Sequence, residues 1–238
     1  MPWQQATYKP SDAIVEAKAM IKSMPIDTAA SSVLSYQIVD SVCSLVWAAA
    51  PWWWTLGTMG NVTILGGTQD YPVTVPSDFL YLARATVQSG SDTNTDLKVV
   101  SILPSSITQV GIPQQVSVVS VASYPVPDTL RVAPKPSNSY SATANLTYKR
   151  QPPKIAAGNF STAGSMVLPD VYYPVIQAGV LWKAYQYADD NRAGSATVDG
   201  EGKVQYTQQL GVFQAAIAEM RKAEKLFLEW PGTQVQHG

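Results

Sequence analysis

One stretch limits what this chain can fold into more than any other. Leu168–Arg192 reads LPDVYYPVIQAGVLWKAYQYADDNR. Wound into a helix, it places apolar and aromatic side chains around almost its whole circumference. Such a helix has no side suited to water and must pack between other elements. Asp170, after Leu168-Pro169, is placed to cap its free N–H groups. Pro174 falls in the first turn, where a missing N–H costs little, and Asp189, Asp190, Asn191 and Arg192 end the apolar run. The stretch is therefore expected to be the central helix of a bundle, and the rest of the chain must supply the seams that cover it.

Three such seams are present. From a cap at Ser11, residues Ile14, Ala17, Ile21 and Met24 recur at helical spacing until Met24-Pro25 stops the pattern. From a cap at Asp27, Ala30, Leu34, Ile38, Val42, Leu45 and Ala49 follow the three-and-four spacing of a coiled-coil seam. Ser31, Ser32, Ser35, Gln37 and Ser41 lie off that seam, and Ala50-Pro51 closes the helix. The last seam runs from Lys203 to Trp230 through Tyr206, Leu210, Phe213, Ile217, Met220 and Phe227, ahead of Pro231-Gly232. Ala193–Gly202 reads as a Gly/Ser/Asp loop.

Between the second and third helices the period changes. From Trp52 to Arg150 the chain is rich in Val, Thr, Tyr, Ser, Pro and Gly. Strands are predicted at Trp52–Leu56, Val62–Leu65, Asp70–Val73, Leu80–Gln88, Leu97–Ile102, Gln115–Val121, Thr129–Ala133 and Asn145–Arg150. Turn signals such as Gly66-Gly67, Pro76-Ser77-Asp78 and Pro134-Lys135-Pro136 separate them. The expected fold class is α+β: a discontinuous bundle of about four helices with a large inserted antiparallel β-sandwich or barrel-like domain. Residues 1–50 with 165–230 would form the helical domain, 51–164 the β domain, and 231–238 a flexible C-terminal tail.

Catalytic chemistry finds no footing. The single histidine, His237, is one residue from the end of the sequence, where packing holds a side chain poorly. The single cysteine, Cys43, sits inside an apolar helical pattern and reads as a buried, inert thiol. Clusters of zinc-ligand type are absent from the sequence, and Gly57-Thr58-Met59-Gly60 lies among strands rather than before a helix. Asp199-Gly200-Glu201-Gly202 lacks the alternating ligands of a calcium loop, and no cofactor is expected. Charged residues are only 14 % and net charge is −1, so no strong pull toward nucleic acid or anionic lipid follows. So little charge fits a chain whose surface is covered by other subunits. The longest apolar run is too short for a membrane span, no secretory signal opens the sequence, and a soluble protein made in a reducing compartment is expected.

Pro51-Trp52-Trp53-Trp54 is the loudest local signal. Side chains alternate along a strand, so three consecutive Trp cannot all point one way. Core anchoring, subunit contact and a sugar-binding platform are the three readings, and Tyr172, Trp182 and Tyr185 of the central helix share the first two.

Taken in order, these segments resemble a known family. Val46-Trp47 and Trp52-Trp53-Trp54 close the first helix pair. Tyr71…Val75-Pro76-Ser77-Asp78-Phe79 forms a strand and turn, and Gly111-Ile112-Pro113 follows. Next come Leu130-Arg131-Val132-Ala133-Pro134-Lys135-Pro136 and Leu146-Thr147-Tyr148-Lys149-Arg150…Pro152-Pro153. Leu168-Pro169-Asp170 with its aromatic helix, and the final helix, complete the set. This order is similar to that of the head-completion adaptors of tailed phages, the head-to-tail connectors and tail tubular proteins. The β insertion is long, and its stretch from Val87 to Leu103 carries no landmark of that family.

The resemblance implies a non-enzymatic virion protein, assembled in the host cytoplasm into the virion neck. It implies a homo-oligomeric ring of about twelve copies with closed symmetry. Such a ring would join the portal protein to a tail tube, nozzle or other neck protein, retain packaged DNA, and let DNA pass without sequence-specific binding. No membrane partner is implied. Thr233, Gln234, Val235, Gln236, His237 and Gly238 would reach the portal or tail as an extended segment. The alternatives are a stopper or tail terminator of the same neck, or a carbohydrate- or host-binding module built on Trp52–Trp54.

Overall fold

The computed structural model describes residues 7–21, 33–50, 52–90, 94–121 and 127–229. The expected signals at Met24-Pro25, Asp27, Ala30, Pro51 and Trp230, and all of Thr233–Gly238, lie outside them. The elements in chain order begin with helices α1 (Pro10–Met20) and α2 (Val33–Ala49) and a 3-10 turn at Trp53–Thr55. Strands follow: β1 (Leu56–Thr58), β2 (Val62–Leu65), β3 (Asp70–Pro72), β4 (Phe79–Gln88) and β5 (Thr95–Val99). Next are β6 (Val110–Gly111), β7 (Gln115–Val119), β8 (Thr129–Ala133), β9 (Lys135–Pro136) and β10 (Ser141–Arg150). Helix α3 (Tyr173–Tyr187) then lies between 3-10 turns at Asp170–Tyr172 and Asn191–Ala193. Strands β11 (Ala196–Val198) and β12 (Val204–Tyr206) and helix α4 (Gln208–Glu229) complete the chain. The fold class is α+β. Two compact units are present, one joining the segment up to Trp54 with Pro152 onward, the other Thr55–Gln151.

In the helical unit, α3 is the element against which α1, α2 and α4 all pack. Ile176, Val180 and Ala184 of α3 are buried with Ile14 and Ala17 of α1, Ile38 and Val42 of α2, and Phe213 and Ile217 of α4. Gly179 permits the closest approach. A Cβ there would stand 2.5 Å from Val42 Cγ1 and 2.8 Å from Phe213 Cε2. The helix ends where the sequence turns polar, with Asp189 in the left-handed region (φ 51°), a conformation that Asp tolerates better than most residues.

Several local expectations are corrected. Ser11 is not a cap: it lies inside α1, and its N–H donates to the Phe160 carbonyl at 3.0 Å. Lys9 occupies the cap position instead, its N–H donating to Asp12 Oδ2 at 2.9 Å. Asp170 does not cap α3. Its carboxylate accepts the N–H and hydroxyl of Thr7, at 2.8 and 2.7 Å, tying down the chain ahead of α1. The buried face of α2 runs through Ser35, Ile38, Val39, Val42, Cys43 and Val46, while Leu45 is exposed. The strand expected at Trp52–Leu56 is a 3-10 turn up to Thr55. The helix expected from Lys203 begins at Gln208, and the residues before it form β12.

The β unit is built on β10. Strand β4 runs along one edge of it, and β1 and β2 share the other. The sheet has eight strands in the order β1-β10-β4-β5-β7-β8-β3, with β2 also on β10. It curls into a half-barrel around Ile64, Ala85, Val116, Leu130, Val132, Ala144 and Leu146. The barrel-like form is thus mixed rather than purely antiparallel. β5 pairs with β7 in parallel, as do the short β6 and β9. The stretch between Val99 and Gln115 makes the longer connection, on the order of a dozen residues, that a parallel pair needs.

The sequence landmarks meet here. Asp78 accepts the Tyr148 hydroxyl and Arg150 Nε, each at 2.7 Å, so the turn before β4 is pinned to the end of β10. Burial works against the charge on Asp78, but these two donors hold its carboxyl below the usual range. Arg131 of β8 makes a two-pronged contact with Asp70 of β3, at 2.7 and 2.8 Å, a geometry that fixes register as well as charge.

Candidate functional site

With no reaction centre expected, the surfaces and aromatic clusters of the helical unit are the places to look for function. Trp52 is 2 % exposed and donates its Nε1–H to the Val46 carbonyl at 2.6 Å. Its ring stacks on Trp54 at 6.3 Å, and Trp54 meets Trp47 edge-on at 5.1 Å. Trp53 is half-buried, and its Nε1–H donates to Glu224 Oε1 at 2.9 Å. The Tyr172 hydroxyl donates to the same oxygen at 2.7 Å. Burial raises the Glu224 pKa, and the hydrogen bonds from Tyr172 and Trp53 offset part of that rise. The three tryptophans therefore fill and border the helical core and present no open stacked face of the kind a sugar ring requires.

Trp182 is half-buried and stacks on Phe213 at 5.5 Å, with Lys183 Nζ 4.5 Å from its ring centre. Tyr185 is buried, and the Arg192 guanidinium lies 4.5 Å from its ring centre. Arg192 also pairs with Asp190 at 2.6 Å. Hydrogen bonds from the Arg192 side chain and then its backbone N–H bring the Asp190 carboxyl down to about 2. Cys43 is buried, and burial together with the nearby Asp40 charge pushes its thiol up to about 12. That thiol stays protonated at ordinary pH and is a poor nucleophile.

Sequence reasoning missed the hairpin β11–β12. Its register pairs Ala196 with Tyr206, Thr197 with Gln205, and Val198 with Val204. Since side chains alternate along a strand, Ala196, Val198, Val204 and Tyr206 share one face, and Thr197 and Gln205 the other. All six residues are exposed, Val198 at 67 %, Val204 at 46 % and Tyr206 at 44 %. The apolar face is thus largely open to solvent. Both ends of the ribbon are fixed. At the tip, the Asp199 carboxylate accepts the N–H groups of Glu201 and Lys203 and the Gln205 amide, which satisfies the oxygens that a calcium loop would offer. At the base, Ser195 N–H donates to Thr207 Oγ1 at 2.9 Å and Thr207 N–H to the Ser195 carbonyl at 3.0 Å. Gly194 (φ 78°) approaches the Thr207 carbonyl so closely that a Cβ would stand 2.0 Å from it. The alternation Ala-x-Val…Val-x-Tyr around Asp199-Gly200 was the available signal.

Among the described residues, no group of His, Cys, Asp and Glu is arranged to hold a metal ion, and no helix is long and apolar enough to cross a membrane. The sequence model of the SU10 adaptor protein family matches residues 23–234. The chain belongs to that family. No curated protein matches the chain. This adaptor is accordingly a phage structural protein of the virion neck. The family match takes in most of both compact units, including the hairpin and all of α4.

Proposed function

We propose that this adaptor forms a non-enzymatic ring of about twelve copies, closed by cyclic symmetry, that joins the portal protein to the tail and retains packaged DNA. The family match over most of the chain carries this reading. The near-neutral charge supports it, since a channel through which DNA slides must avoid the phosphate neutralisation that makes binding tight. The helical unit would form the ring body, with Trp182 and Tyr185 holding it together from within. Thr233–Gly238 would reach the portal. The glycan-binding alternative loses its basis, because Trp52 and Trp54 are buried.

Mass measurement of the chain alone and mixed with portal tests the ring. A complex of portal with multiple adaptor copies is expected. A chain that stays monomeric and never joins the portal would overturn the reading. Removal of residues 231–238 separates the tail's role from the fold: portal attachment should be lost while the far-ultraviolet spectrum is unchanged, and unimpaired attachment would refute that role.

A further inference from the structure

The helical unit carries both a projecting apolar ribbon and an apolar hollow, and the two match in size and chemistry. The hollow, about 200 Å³, lies between α1 and α3. Ala13, Ala17 and Ala178 line it with short side chains, Leu181 and the exposed Met20 add apolar walls, and Glu16 supplies a carboxylate. An apolar cavity of about 150 Å³ holds a benzene ring, so this hollow has room for one aromatic side chain. Its single charged group points to an amphipathic occupant. Glu16 Oε2 accepts from the Gln177 amide and, at 3.4 Å, from the Tyr173 hydroxyl. Glu16 Oε1 has no donor among the described residues. A side chain that fills the hollow should therefore be an aromatic ring ending in a hydrogen-bond donor, which describes a tyrosine.

The hairpin presents that group. Tyr206 stands on its uncovered face beside Ala196, Val198 and Val204. A two-stranded hairpin is marginal in water on its own, and one with an apolar face is better served by a partner surface. The hairpin is also a fixed projection, held at its base by Ser195, Thr207 and Gly194. Ribbon and hollow are separate features of one compact unit, and both are open within one chain. A contact between them across two copies would be head-to-tail, and repetition of such a contact generates a ring when the rotation closes.

We propose that the β11–β12 hairpin of each copy seats Tyr206 in the α1–α3 hollow of the next, its hydroxyl donating to Glu16, and that this contact propagates the ring. The inference rests on the ring reading above and adds the contact that builds it. The occupant is a second copy of this chain.

Thiol cross-linking in the portal-bound adaptor tests it. Met20→Cys and Val204→Cys, both at exposed positions, are combined in one chain and treated with a short bis-maleimide; the buried Cys43 stays unreactive. A ladder of covalent multimers is expected, with only monomer from either single variant. Rings that assemble but give no ladder would overturn this contact while leaving the ring reading intact, as would cross-links running from residue 204 to the portal. A wild-type chain that forms no ring would overturn both. As a second arm, Val198→Ser/Val204→Ser/Tyr206→Ser should leave the helical spectrum and unfolding temperature unchanged. It should raise the concentration needed for ring assembly at least tenfold, and assembly at the wild-type concentration would refute the contact.

Discussion

Trp52–Trp54 and the β11–β12 hairpin are both aromatic-bearing segments at the ends of helices, and their fates are opposite. The tryptophans are conspicuous in sequence and end up filling and bordering the core, with indole N–H groups of Trp52 and Trp53 bonded to Val46 and Glu224. The hairpin is inconspicuous, sitting in a run of Gly, Ser and Asp, yet it leaves Val198, Val204 and Tyr206 open to solvent. Local aromatic density says how much area a segment has to bury. Whether it buries that area within its own chain depends on whether neighbouring seams can reach it. For Trp52 and Trp54 the 3-10 turn at Trp53–Thr55 folds them back onto α2 and its Trp47. For the hairpin, the base is pinned by Ser195 and Thr207 while Val198, Val204 and Tyr206 stay exposed.

Substitution can break this contrast, and the largest effect belongs to the tryptophans. Trp52→Ala should cost about 3–5 kcal/mol of stability, since it empties a large, fully enclosed site; denaturant unfolding of the helical unit measures it. A cost near zero would mean the cluster is not core. Gly179→Ala should cost about 1–3 kcal/mol by forcing Val42 and Phe213 apart. The same experiment reads it, and a stabilised variant would show that α2, α3 and α4 are less tightly packed.

A third change concerns pH. Burial raises the Glu224 pKa in the folded state, so between its unfolded and folded values the folded protein binds more protons than the unfolded one. Stability attributable to this group therefore falls as pH rises through that window, and the loss is complete above the folded value. Glu224→Gln keeps an acceptor for Trp53 and Tyr172 and should flatten the pH dependence of the unfolding temperature as pH rises above the ordinary glutamate range. An unchanged slope would show that Glu224 titrates normally. The smallest effect on stability is expected at the hairpin. Its triple serine variant should shift stability by no more than about 0.5 kcal/mol, as exposed positions usually do, while impairing assembly. A large loss of stability would show that the face is covered within the chain after all.

Much of the architecture was legible because its signals are local. The nearly unbroken apolar circumference of Leu168–Arg192 calls for packing between other elements, and α3 does lie against three other helices, with Tyr187 at its end left exposed. Asp78 is 70 and 72 residues from the Tyr148 and Arg150 landmarks, yet the three come together as one hydrogen-bonded group. What failed depended on competition between partners. Asp170 had an attractive local role as a cap, but the Thr7 N–H and hydroxyl claimed its carboxylate. Strand β10 begins four residues earlier than expected, at Ser141, because Ser141, Ala142 and Ala144 carry little strand signal and leave Thr143 isolated. Tyr206 sits four residues before Leu210, a spacing that fits a helix as readily as the end of a hairpin, and helix was the wrong choice there. Parallel pairing of β5 with β7 has no short-range signature at all.

The central claim is that this adaptor is a ring component of the neck whose uncovered hairpin is completed by the next copy. An electron-microscopy map of the virion neck tests it most directly. The expected result is a closed ring of this chain between portal and tail, with each Tyr206 seated between α1 and α3 of its neighbour. A map with no such ring at the neck, or with every hairpin facing solvent, would contradict it.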